Sequence, residues 1–126
     1  FFRDKLPGFL DGIYAGLRMI EILSKKRKSF TKLLKDVPQY VSTEEIKIAT
    51  TEEKKFDIVE KVKDYAIEEG YAFEDIDGVR VEWWDAWALI RASNTGPNIT
   101  LRFEAKDQAT LDDVQKEFMD FIQTLL

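Results

Sequence analysis

Between Tyr71 and Ala105 the sequence offers four strand-like segments in succession, with only short turns between them. They read as Tyr71–Ile76, Val79–Trp84, Trp87–Arg91 and Ile99–Ala105, the first two joined by the hairpin signal Asp77-Gly78. Along the last, Ile99, Leu101, Phe103 and Ala105 share one face, while Thr100, Arg102 and Glu104 share the other. An apolar row opposite a polar row means a sheet covered on one side. Consecutive strands framed by two helices imply an antiparallel sheet with both helices on one face.

The framing helices have their own signals. Ile46 and Ile48 alternate with polar neighbours and predict a further half-buried strand. Thr50 and Glu53 then have capping-box spacing and open a helix through Glu69, with Phe56, Val59, Val62 and Ala66 as its buried stripe. Gly70 suits the position just past its end. Thr110 and Asp113 repeat the spacing before a last helix striped by Leu111, Val114, Phe118, Phe121, Ile122 and Leu125. The predicted architecture is therefore α+β: an antiparallel sheet of four to five strands in the order β-α-β-β-β-β-α. A helical piece precedes it, over Gly8–Ser24 and Phe30–Asp36. Pro38 ends that piece. Residues 39–44 read as a hinge or connector, which divides the chain into 1–38 and 45–126.

Composition narrows the chemistry. The 126 residues are 44% apolar, enough for a sizeable core. Without cysteine or histidine, thiolate chemistry, Cys-ligated metal and the commonest general base are all excluded. No apolar run approaches the ~20 residues needed to span a bilayer, and Phe1-Phe2 lacks the form of a signal peptide, so a cytoplasmic protein without membrane contact is expected. The start without Met suggests a piece of something longer. A net charge of −5 argues against nucleic acid and anionic membranes as partners.

Arg91-Ala92-Ser93-Asn94-Thr95-Gly96-Pro97 is the densest group of anion-binding chemistry in the chain. Arg91 offers a planar fork of donors and a permanent charge, and Ser93 and Thr95 offer hydroxyls that rotate to suit an acceptor. A sharply turned backbone adds converging N–H groups. The same residues are also ordinary turn chemistry, and composition alone favours a plain hairpin loop. The basic run Lys25-Lys26-Arg27-Lys28 reads as a solvated helix end, and Glu74–Gly78 as a hairpin. Trp83 and Trp84 alternate in direction, so at most one of them belongs to the core, with one ring left partly exposed.

Several ordered blocks resemble the C-terminal region of the α-D-phosphohexomutases, in particular the bacterial phosphomannomutase/phosphoglucomutases. These are Asp77-Gly78-Val79-Arg80-Val81-Glu82, Trp87, Leu89-Ile90-Arg91-Ala92-Ser93-Asn94-Thr95 and Leu101-Arg102-Phe103-Glu104-Ala105. Asp11-Gly12-Ile13-Tyr14-Ala15, Arg18 and Ile20–Ser24 resemble the last helix of the preceding domain, of which residues 1–38 would be the remnant. Ala86 and Ala88 stand where the family usually has glycines, and Gly96 where it often has Glu or Thr.

The resemblance implies a TATA-binding-protein-like last domain and a reversible transfer between hexose 1-phosphate and hexose 6-phosphate, of mannose or glucose. The family works through a phosphoserine and a bisphosphate intermediate, with magnesium. Phosphoserine, magnesium loop and sugar-reading loop belong to other domains, so this chain alone is expected to catalyse nothing and to hold no metal. It would bind the phosphate that is not being transferred, through Arg91, Ser93, Asn94 and Thr95, with Arg102 as a weaker candidate. The partners implied are the phosphosugar and other domains of the same protein. Two alternatives stand beside this reading: a non-catalytic interaction module on the same sheet, and a phosphoglucosamine mutase. Phosphoglucosamine mutases commonly carry Gly where Asn94 stands.

Overall fold

The computed structural model describes residues 11–126, so Gly8 and Leu10, where the first helix was expected to begin, lie outside the described residues. The chain divides into two compact units, 1–38 and 39–126. In the first, α1 (Gly12–Lys26) starts at Asp11, whose carboxylate accepts the Tyr14 N–H at 2.8 Å. It ends at Arg27 in the left-handed region (φ 50°), with the Arg27 N–H returned to the Leu23 carbonyl. Lys25 and Lys26 fill its last turn, where positive charge complements the exposed carbonyls. The second helix, α2 (Phe30–Leu34), stops short of Asp36.

The second unit is a six-stranded antiparallel sheet with two helices. In chain order it runs β1 (Val41–Ser42), β2 (Ile46–Ala49), α3 (Glu52–Glu68), β3 (Ala72–Glu74), β4 (Val79–Glu82), β5 (Ala86–Ala92), β6 (Asn98–Ala105) and α4 (Gln108–Gln123). The spatial order is β1-β6-β5-β4-β3, and β2 also pairs with β6, along its first half. The sheet thus has one strand more than four to five. Val41 and Ser42, within the expected connector 39–44, pair with Ala105 and Glu104. Thr43 continues the attachment, its N–H donating to the Phe103 carbonyl and its hydroxyl accepting the Phe103 N–H. A two-residue strand is too short to show alternation, so only the edge of β6 reveals it.

Alternation along β4, β5 and β6 buries one face completely. Val79, Val81, Ala88, Ile90, Ile99, Leu101, Phe103 and Ala105 are all at most 1% exposed. Ile58, Val62 and Ala66 of α3 and Leu111, Phe118 and Ile122 of α4 cover them. Ala86 and Ala88, the positions expected as glycine, point into this core, where a methyl group fits.

The α3 stripe differs from expectation by one position. Ile58 and Lys55 are buried, while Phe56 is 60% exposed. The caps shift too. Thr51, not Thr50, accepts the Lys54 N–H, and Asp107, not Thr110, caps α4 by accepting the Thr110 N–H. Thr50 is instead drawn to the loop after β5, its N–H bound to the Pro97 carbonyl at 2.8 Å. At the other end, Gly70 (φ 72°) closes α3, with Gly70 N–H on the Ile67 carbonyl and Tyr71 N–H on that of Ala66. These are the paired bonds of a Schellman cap.

Candidate functional site

The opposite face of the sheet carries the polar row. Register sets Arg80 beside Leu89 and Leu89 beside Arg102, with Arg91 beside Thr100. Here a surface cavity of about 340 Å³ opens, lined by Arg80, Arg91 and Arg102 and by the carboxylates of Glu45, Glu74 and Asp77. Three guanidiniums and three carboxylates thus share one sheet face, so the lining charges balance while the guanidinium donors are concentrated there.

Arg91 is held at two of its nitrogens. Its Nε donates to Thr100 Oγ1 at 3.2 Å, and Nη1 donates to Asp77 Oδ2 at 3.2 Å. Asp77 arrives by way of the β3–β4 turn, which sits directly against Arg91. Gly78 has φ 85°, and a Cβ there would lie 2.5 Å from Arg91 Cβ and 2.4 Å from the Ile90 carbonyl oxygen. Glycine is therefore needed twice, for the turn and for the approach. Arg80 lies over the Trp87 ring at 4.9 Å and pairs with Glu82 at 3.1 Å. Its Nε is buried without a partner, which leaves that donor unused.

The loop following β5 is held from within and from below. Ser93 is buried and its Oγ accepts the Thr95 N–H at 3.2 Å, while the two hydroxyl oxygens lie 3.3 Å apart. Ser93 N–H donates to the Asn98 carbonyl and Asn98 N–H to that of Gly96. The N–H groups of Asn94 and Gly96 have no partner among the described residues. Beneath the loop, the Lys55 ammonium donates to the carbonyls of Ser93 (2.8 Å) and Gly96 (3.3 Å) and pairs with Glu52 at 2.6 Å.

The expected residues thus fall in three places. Arg91 and Arg102 share the cavity on the open face. Ser93 and Thr95 are brought together by their hydroxyls, whereas Asn94 lines a different hollow with Phe56, Val59 and Ala92. Three further residues belong to the site. Arg80 could have been found from its place on the polar side of β4 (the same alternation that singled out Arg102). Asp77 was visible only as a turn residue, and nothing in the sequence marks Lys55 among the lysines of α3. The tryptophans separate as alternation requires. Trp83 packs edge-on against Tyr71 and Phe118, and Trp84 is 83% exposed with the Lys106 ammonium over its ring.

With this geometry in place, residues 45–121 match the family model described as phosphoglucomutase/phosphomannomutase, C-terminal domain. A phosphomannomutase/phosphoglucomutase of Pseudomonas syringae is 42% identical over 118 residues, covering 94% of this chain and 25% of that protein. A phosphoglucosamine mutase of Methanocaldococcus jannaschii is 35% identical over 121 residues, covering 92% of this chain and 26% of that protein. The crystal structure of a phosphoglucomutase/phosphomannomutase family protein from Burkholderia thailandensis superposes with a TM-score of 0.80 at 36% identity, covering 99% of this chain and 26% of that one. The chain spans about a quarter of the length of these relatives.

Proposed function

This chain belongs to the phosphoglucomutase/phosphomannomutase family through its C-terminal domain, and on that premise we propose that it is the phosphate-holding domain of a phosphohexomutase. The enzyme would interconvert hexose 1-phosphate and hexose 6-phosphate of mannose or glucose in the cytoplasm, through a phosphoserine and a bisphosphate intermediate. The observation that carries the reading is the pre-set Arg91 guanidinium, held by Asp77 and Thr100 at the entrance to a loop with two adjacent hydroxyls and two unpartnered N–H groups. In this reading Arg91 supplies charge, Ser93 and Thr95 supply hydroxyl donors, Asn94 an amide or N–H, and Arg102 a second, more exposed guanidinium. Such a clamp makes and breaks no bond. It spends binding interactions on orienting the sugar's reacting oxygen. Among the described residues no three acidic side chains converge to hold a metal. The donors for magnesium are proposed to lie on other domains, as the family resemblance implies, and no step here is assigned to it. No helix among the described residues is long and apolar enough to cross a membrane.

The test is a titration of the isotope-labelled chain with mannose 1-phosphate, inorganic phosphate and unphosphorylated mannose, followed by amide shifts. Both phosphorylated ligands should shift the amides of residues 91–98, and mannose should not. Arg91→Ala should weaken that binding by about 2–3 kcal/mol, as expected for a charge-assisted hydrogen-bonding group. Equal responses to mannose and mannose 1-phosphate, or wild-type affinity in the variant, would remove the clamp.

A further inference from the structure

Lys55 is a charged side chain where an apolar one was expected. It stands in the second turn of α3, is only 4% exposed, and shares the buried stripe with Ile58, Val59 and Val62. A lysine is almost never this buried unless paired. Here the ammonium donates to the carbonyls of Ser93 and Gly96 and forms an ion pair with the carboxylate of Glu52. Two of the three partners are the backbone at either end of the Ser93–Gly96 turn. The neighbouring Thr50 N–H adds a bond to Pro97, so the start of α3 grips the loop at three carbonyls.

We propose that Lys55 is the positioning residue of the 93–97 loop, resting on the reading of that loop as a phosphate clamp. By drawing the Ser93 and Gly96 carbonyls toward α3 it fixes the turn in which the Ser93 and Thr95 hydroxyls lie together and the Asn94 and Gly96 N–H groups stay free for an anion. A carbonyl rotated toward the anion would repel it, and Lys55 prevents that rotation at two positions. Lys55 touches no ligand in this arrangement and acts through the loop it holds.

The proposal has a readout in the unmodified chain and another in a variant. In the wild type, a scalar coupling across the hydrogen bond from the Lys55 Nζ nitrogen to the Ser93 carbonyl carbon should be detectable by NMR, and its absence overturns the arrangement. In Lys55→Met, which keeps the apolar stem, amide exchange at Ser93, Thr95 and Asn98 should speed up by about tenfold or more and inorganic phosphate should bind about tenfold more weakly, each the loss of one charge-assisted bond. Amides of β6 from Leu101 onward should keep their chemical shifts in the folded variant, which separates a loss of loop order from the fall in urea midpoint expected when the Ser93 and Gly96 carbonyls lose their donor. Lys55→Arg, which can still reach carbonyls, should recover part of both losses. Unchanged loop amides in Lys55→Met overturn the positioning role itself. A wild-type chain that takes no phosphate overturns the clamp reading and with it the anion half of this proposal.

Discussion

The two ends of α3 are secured by different physics. At its start a single ammonium donates to the Ser93 and Gly96 carbonyls and forms an ion pair with Glu52. Toward its end Tyr65 stacks on Phe121 at 4.3 Å between ring centres and meets Phe118 and Tyr71 edge-on at 5.9 and 6.3 Å. Packing of that kind spreads over many atoms of small individual worth, so it sets stability and tolerates small displacements. Two hydrogen bonds and an ion pair are few but directional, and they define where each atom lies. The difference teaches that one helix can hold the fold at one end and shape a site at the other, with little overlap between the two effects.

Phe118→Ala should expose that separation most strongly. The ring is fully buried among Tyr65, Trp83 and Phe103, so its removal should cost about 3–5 kcal/mol by chemical denaturation. Loop amides at 93–98 should keep their shifts in the folded variant. Gly78→Ala would break the contrast, since it is a site-end change with a core-sized cost. A positive φ and a clash with the Arg91 backbone should take roughly 2–3 kcal/mol and move Arg91 away from Asp77. The measurement is a denaturation midpoint together with the Arg91 Nε resonance.

Alkaline pH should weaken the aromatic end. Burial, then hydrogen bonding to Glu117, pushes the Tyr71 hydroxyl up to about 12 and raises Tyr65 in the same direction. The folded state therefore holds these protons more tightly than the unfolded chain. Their contribution is fully present below the ordinary tyrosine range near ~10 and is lost as pH rises through about 12. Urea midpoints should fall across that window, and less steeply in Tyr71→Phe. The smallest effect belongs to the start of the helix: Thr51→Ala removes the cap on Lys54 and should cost about 1 kcal/mol while leaving the tyrosine titration unchanged.

Much of this was legible in the chain, and for a common reason. The β5–β6 pair, the core faces of β4 to β6 and the α4 stripe all follow from alternation or helical spacing, which are periodic signals repeated over many residues. Arg91, Ser93, Asn94, Thr95 and Arg102 could be named because hydroxyls and guanidiniums are chemically distinctive wherever they stand. Failures occurred where the signal was a single residue or a single bond. Thr50 and Thr51 are equally good caps on paper. Thr51 serves because the Thr50 N–H is engaged by Pro97, 47 positions along the chain. Ile76, read as strand, is 91% exposed because the tight turn at Gly78 ends pairing at Glu74.

What the sequence determined by itself is the order of elements, the apolar face of the sheet and the position of a loop rich in anion donors, since each depends on local spacing and residue chemistry. Tertiary structure alone decided that Lys55 rather than Phe56 turns inward, that Val41 and Ser42 join the sheet, and that Asp77 reaches Arg91. Each of these is a contact between segments distant in sequence. An ammonium is buried only where carbonyls from another segment replace the water it loses, and no reading of its neighbours can supply them.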